Sequence, residues 1–201
     1  EIVAYEVHAE WDQIARKWVK EIRTVAPDSW IIYGGVCYNS TMAVPLLANP
    51  NDDKVAYTFH FYEPIIFTHQ GAHWVDNMPV DFRIHYPGSL EEYRSISDSL
   101  SRDLTAGIFN EEIKEVGPQM YETLLSSVFE ACEKNNVPVY CGEYGVIDRA
   151  DPKDMINWLR DINSSFTKYN VGRAYWSYKK MDFGISDDRC KDLIDEIVAL
   201  L

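Results

Sequence analysis

Apolar residues recur along the chain in two alternating rhythms, short β-rich runs and longer stretches at helical spacing. Residues 2–7 read as a strand. Beyond Trp11, the positions Ile14, Ala15, Trp18, Val19, Ile22 and Val25 fall on one helical face, and Pro27 marks the stop. Residues 30–33 read as a second strand running into Gly34-Gly35, residues 41–47 as a short helix, and residues 55–61 as a third strand rich in β-branched and aromatic side chains. A helix over 119–134 places Met120, Leu124, Leu125, Val128, Phe129 and Cys132 together, and a strand follows from Val139. Asp151-Pro152 opens another helix, with Asp as cap and Pro in the first turn. Its apolar stripe is Met155, Trp158, Leu159, Ile162 and Phe166. Residues 173–177 read as a fifth strand, and a closing helix should turn Cys190, Leu193, Ile194, Ile197, Val198 and Leu201 inward.

Between the third strand and the 119–134 helix lies a long stretch, 63–109, that reads as irregular. Loops of that length in a compact domain are usually functional or disordered. This one carries Phe67, Trp74, Phe82, Tyr86 and Tyr93, which predicts a binding loop. Strand–helix alternation argues for a parallel sheet wrapped by helices, as a doubly wound sheet or a barrel. No Gly-rich phosphate loop follows any strand, which weakens a nucleotide-binding version. In a barrel the chemistry should gather where strands end.

The strand ends carry chemically versatile residues. One run is Thr58-Phe59-His60-Phe61-Tyr62-Glu63-Pro64, a second is Cys141-Gly142-Glu143-Tyr144-Gly145, and a third is Ala174-Tyr175-Trp176-Ser177-Tyr178. Glu143 follows Gly142 and precedes Gly145 by two residues, so little local bulk blocks a ligand. Taken alone, it could equally be a strand-terminal acid capping a loop. His60 and Tyr62 offer an imidazole and a phenol that can hydrogen-bond a carboxylate and hold it ionised. Trp176 offers a flat apolar face for a sugar ring. The combination describes a carbohydrate site.

Charge narrows the ligand class. With 19 basic and 32 acidic residues, the net charge is −13, which disfavours a nucleic acid as partner. No apolar run is long enough to span a membrane. The four cysteines are widely spaced, with no Cys-x-x-Cys pair, so a zinc knuckle is not expected. His69 and His73 are four apart, but Gly71 between them argues for a loop rather than a metal-binding helix. No metal or cofactor is expected.

Runs of residues in the same order resemble glycoside hydrolase family 5, the cellulase-type endoglucanases. They are Pro27-Asp28-Ser29-Trp30-Ile31-Ile32-Tyr33-Gly34-Gly35, Tyr57 through Pro64, Phe67-Thr68-His69-Gln70-Gly71-Ala72-His73-Trp74, Val137 through Gly145, and Arg173 through Tyr178. The resemblance implies a (β/α)8 barrel of which this chain carries strands 4–8 and their helices, as one catalytic domain over 1–201. It implies that Glu143 is the nucleophile, that His60 and Tyr62 position it, that Trp176 is a sugar platform, and that Asn39 and Trp74 contact substrate.

Two departures stand out. The first three strands are not in this sequence, so a missing N-terminal segment or a second chain is expected to complete the barrel. The family's general acid stands in an Asn-Glu-Pro run, whereas Tyr5-Glu6-Val7-His8-Ala9-Glu10-Trp11 leads directly into a helix. Glu10 is either that acid or a first-turn residue favoured by the helix dipole. The expected activity is retaining endo-hydrolysis of a β-1,4-linked glucan by a protein that works outside the cell. Rival readings are hydrolysis of mannan, xyloglucan or mixed-linkage glucan, a sugar-binding or scaffold protein without turnover, and a metal-dependent barrel hydrolase.

Overall fold

A computed structural model describes residues 1–100 and 112–201. These fall into two compact units. The first comprises Glu1–Phe61, Leu125–Glu143 and Tyr169–Ala174, and the second Tyr62–Leu124, Tyr144–Lys168 and Tyr175–Leu201.

The first unit is organised by a sheet whose strands lie in chain order: β1 (Ile31–Tyr33), β2 (Val55–Phe61), β3 (Val139–Tyr144) and β4 (Gly172–Tyr175). β1 pairs in parallel with β2, Ile31 opposite Val55 and Tyr33 opposite Tyr57. Six of the seven residues of β2 are buried, the pattern of a strand covered on both faces. At its start, the Tyr57 N–H donates to the Pro138 carbonyl at 2.9 Å.

Helix α1 (His8–Val25) packs beside β1. Glu10 in its first turn and Arg23 in its last complement the helix dipole. Asp12 is buried on this helix, and a buried carboxylate is costly unless donors surround it. It accepts from the Tyr33 hydroxyl, from the Ala48 N–H at 2.9 Å and from Arg16 Nε at 2.9 Å. Those bonds tie α1 to β1 and to the chain after the 3-10 turn Thr41–Leu46. At the helix end, Arg23 makes a two-pronged pair with Asp52, at 2.5 and 2.8 Å.

The expected strand over 2–7 is not formed. Residues Tyr5–Val7 make a 3-10 turn, and α1 starts at His8. A strand exists only as a partner in a ladder, and here the Ile2 carbonyl instead accepts the Tyr38 N–H at 3.2 Å. The apolar face of α1 is also less covered than its periodicity predicts. Ala15 and Val19 are buried, but Ile14, Trp18 and Val25 are exposed.

The helix expected over 119–134 forms as α4 (Pro118–Asn135), and the second unit is built on α5 (Pro152–Lys168). Asp151 Oδ1 accepts the Lys153 N–H at 2.8 Å, as the Asp-Pro signal predicts. Met155, Ile156, Trp158, Leu159, Ile162 and Phe166 are buried along its length. Trp158 donates its indole N–H to the Glu63 carbonyl at 2.9 Å and stacks near Tyr144. Removing a buried indole of this kind costs about 3–5 kcal/mol.

Helix α6 (Ile194–Leu200) packs on α5. It buries Ile197, while Val198 and Leu201 stay exposed, so only part of the expected inward stripe is realised. A helix of seven residues is two turns long and presents one narrow face.

The stretch expected to be irregular contains α2 (Ile65–Thr68) and α3 (Leu90–Ser99), and its part from 101 to 109 lies outside the described residues. Its order has a chemical cause. The buried Gln70 amide donates to the Phe67 and Ile84 carbonyls at 3.0 and 3.2 Å. Its oxygen accepts the Ile84 N–H at 3.1 Å, so a side chain imitates a strand partner. Tyr86, Tyr93 and Tyr121 are buried close by, with the Tyr121 hydroxyl donating to Tyr86 and Tyr86 to Asp161, both at 2.8 Å.

Candidate active site

In the first unit, His60 and Glu143 occupy the ends of β2 and β3. Gly142 precedes Glu143, and a Cβ there would lie 3.0 Å from Thr58 Oγ1 and 3.7 Å from the His60 ring. The absence of a side chain lets the two strand ends lie close together.

His60 Nδ1 is 3.6 Å from Glu143 Oε2 and 3.0 Å from Glu1 Oε1. Two carboxylates therefore face one imidazole nitrogen, with Glu143 30% exposed and Glu1 48%.

The backbone of His60 is held from the β1 side. Its N–H donates to the Asn39 carbonyl at 2.7 Å, and Ser40 forms a parallel bridge with it. Asn39 belongs to the run Cys37-Tyr38-Asn39, all with positive φ. Its side-chain oxygen accepts the Gly35 N–H at 3.0 Å, so Asn39 braces the strand end that carries His60. Glu10 lies in the first turn of α1 and is exposed.

No sequence pattern marks Glu1 as a neighbour of His60. A lone acid before an apolar run carries no periodic or motif signal, and its place beside His60 emerges only from the fold.

The second unit holds the aromatic residues. Tyr62 packs on a cluster of Ala72, Ile147 and Phe183. Its ring meets His69 edge-on at 5.0 Å, and His69 in turn meets Phe183 at 5.3 Å and Trp74 at 6.4 Å. Burial among these rings pushes the His69 imidazole down to about 4. The Thr68 hydroxyl donates to the Tyr62 carbonyl and lies 3.0 Å from His69 Nδ1. With its proton committed, that hydroxyl accepts from Nδ1–H, which leaves His69 Nε2 as an acceptor.

Trp176 follows β4 and is 37% exposed. Its N–H donates to the Tyr144 carbonyl at 2.9 Å. A Cβ on Gly145 would stand 2.2 Å from the Trp176 carbonyl oxygen, so this position requires glycine. Trp74 is 44% exposed and meets the His73 ring edge-on at 4.9 Å.

Among the described residues, no group of three or more His, Cys, Asp or Glu side chains is placed to hold a metal ion. No described helix is long and apolar enough to cross a membrane.

Comparison with known proteins places this chain in a family. Endoglucanase C of Acetivibrio thermocellus is 35% identical over 193 residues, covering 95% of this chain and 55% of that protein. Cellodextrinase A of Ruminococcus flavefaciens is 32% identical over 164 residues, covering 82% of this chain and 41% of its own length. The chain thus spans about half the length of these relatives. A solved endoglucanase superimposes with a TM-score of 0.71 at 25% identity, over 95% of this chain and 54% of that one. Such neighbours are (β/α)8 barrels, and the four strands with their helices match part of that architecture. Residues 3–182 match the family described as cellulase, glycosyl hydrolase family 5. The chain belongs to glycosyl hydrolase family 5.

Proposed function

We propose that this chain carries the nucleophile half of a retaining endo-β-1,4-glucanase, with Glu143 as nucleophile and Glu1 as acid/base. The observation that carries the reading is the pair of carboxylates on one side of His60. Family membership and the names of the relatives support the substrate class.

In the first step Glu143 attacks the anomeric carbon as the bond to the leaving oxygen breaks, and Glu1 gives that oxygen its proton. In the second step Glu1 takes a proton from water, whose oxygen displaces Glu143 from the sugar. Configuration is retained, and no cofactor enters the balance. His60 stands beside both carboxylates, with Nδ1 at hydrogen-bond distance from Glu1 and 3.6 Å from Glu143. Tyr62 and Trp176 act as positioning phenol and sugar platform, and Asn39 supports His60 through its backbone. Trp74 supplies a further sugar contact. Glu10 keeps to the helix dipole.

The reading includes completion of the barrel. β1 stands at the end of the strand order, and a groove of about 190 Å³ beside it is lined by Trp11, Ala15, Trp18, Ile22, Ile31 and Ile32 among others. An N-terminal segment or a second chain bringing the remaining strands would cover this edge. Residues 1–201 then form one catalytic domain, in a protein that meets its polymeric substrate outside the cell.

The test is covalent trapping with a 2-deoxy-2-fluoro cellobioside bearing a good leaving group, which needs no acid catalysis in the first step. Peptide mapping should find the adduct on Glu143, and Glu143→Gln should not react. An adduct on another residue, or none on the protein completed to full length, would overturn the assignment.

A further inference from the structure

The core of the second unit contains a continuous line of side chains that can give up an electron. Tyr86 and Tyr121 share a hydrogen bond of 2.8 Å between their hydroxyls. Tyr121 meets Trp158 edge-on with ring centroids 6.4 Å apart. Trp158 lies against Tyr144 at 6.1 Å, and Tyr144 meets Tyr175 at 5.5 Å. Each separation falls within the about 4.5–7 Å of aromatic contact. The line reaches solvent at Trp176, the residue after Tyr175, which is 37% exposed. The Trp176 N–H donates to the Tyr144 carbonyl at 2.9 Å, a second connection into the line.

Packing alone accounts for buried rings and leaves the choice of hydroxyl partners open. An oxidised phenol is a strong acid, so tyrosine yields an electron readily only where a base can take its proton. Tyr144 donates to the Asn163 amide oxygen at 3.2 Å and Tyr175 to the Val146 carbonyl at 3.4 Å, both poor bases. Tyr86 differs, because its hydroxyl donates to the Asp161 carboxylate at 2.8 Å. Burial raises the Asp161 carboxyl, which makes it a better base. The Tyr121 hydroxyl still donates to the Tyr86 oxygen once that proton has moved. Tyr86 is 1% exposed, out of reach of a dissolved oxidant.

We propose that this line is an oxidation relay that carries an electron hole from the exposed Trp176 to Tyr86. A one-electron oxidant in solvent, of the class of hydroxyl or carbonate radicals, takes an electron from the Trp176 indole and is itself reduced. Tyr175 and Tyr144, then Trp158 and Tyr121, pass electrons toward the indole until Tyr86 is left one electron short. The Tyr86 proton moves to Asp161, leaving a neutral phenoxyl radical beside a carboxylic acid. A dissolved one-electron donor such as ascorbate returns the electron along the same line, and Asp161 returns the proton. The relay draws oxidation away from the exposed indole, and it does not depend on the hydrolase reading.

Laser-flash oxidation of the intact chain with photogenerated tris-bipyridine ruthenium(III) tests this, read by transient absorption and by electron paramagnetic resonance of freeze-trapped samples. In the parent, the indolyl signal should decay into a tyrosyl signal. Tyr86→Phe removes one oxygen and little volume, and it should lose most of that tyrosyl signal. Asp161→Asn keeps the ring while removing the base and should lose it too. Tyr144→Phe interrupts the line and should leave the indolyl signal long-lived. Tyr178→Phe, a change to a 75% exposed ring outside the line, should behave as the parent does. A tyrosyl yield in Tyr86→Phe equal to the parent's, or tyrosyl formation at the parental rate in Tyr144→Phe, would overturn the relay.

Discussion

Glu143 and Glu1 differ in what each should do to the chemistry when replaced. In the completed protein, Glu143→Gln removes the attacking group, and kcat should fall by at least about three orders of magnitude on any β-glucan. Glu1→Gln should slow polymer hydrolysis strongly while sparing the first step on an aryl cellobioside with a good leaving group, because protonation matters least there. Glu10→Gln should change neither. Comparing initial rates on the polymer and on the activated glycoside separates the three, and a Glu10 variant showing the acid's signature would reverse the assignment. Gly145→Ala puts a methyl against the Trp176 carbonyl, so the backbone must give way. The expected loss is about 1–3 kcal/mol, visible as a fall of several degrees in Tm by calorimetry.

At the scale of elements, two histidines of the second unit report on how the loop from 63 to 100 is held. His69 at the end of α2 is buried and pushed down to about 4. A group depressed on folding contributes stability above its unfolded value, near ~6.5, and loses it as pH falls toward the folded value. The unfolded chain then takes a proton that the folded one refuses. His85 behaves oppositely. Its Nδ1 lies 2.7 Å from Asp154 near the start of α5, and this hydrogen bond, followed by the carboxylate charge, raises it above its ordinary value. Its stabilisation is therefore full below ~6.5 and fades as pH rises through the folded value. Urea unfolding between pH 4 and 8 should show the His69→Gln variant losing the acid-side decline. The His85→Gln variant should lose the smaller alkaline-side decline, small because the ring is solvent-exposed. Unchanged profiles would mean that these residues do not couple the loop to pH.

For the whole molecule, the uncovered face of α1 and β1 sets the expected behaviour in solution. Trp18, Trp30 and Ile32 are 60%, 59% and 53% exposed. Apolar groups left in water drive association, and an open strand edge offers unpaired N–H and C=O groups as a template. The 201-residue chain should self-associate with rising concentration in sedimentation velocity. Trp18→Lys combined with Ile32→Lys should keep it monomeric with little change in Tm, since both side chains already face solvent. A parent that stays monomeric at high concentration would show that this face needs no cover.

How much of this was legible follows the range of the forces involved. Local periodicity set the helices over 118–135 and 152–168 and the strand at Val55, because burial of one face repeats with the geometry of the element itself. The runs around His60, Glu143 and Trp176 made the family legible, since chemistry at strand ends demands particular residue types. Pairing was not local. Residues 2–7 have strand-forming side chains, yet they form no ladder, and α1 exposes apolar positions that its rhythm marked as inward. The place of Glu1 beside His60 and the hold of the Asn39 carbonyl on the His60 N–H depend on contacts between segments distant in sequence. The sequence by itself determined the longer helices and the strand at Val55, and marked His60 and Glu143 as candidate reactive groups. The tertiary structure decided which carboxylate meets the imidazole, because distance between side chains is a property of the folded backbone.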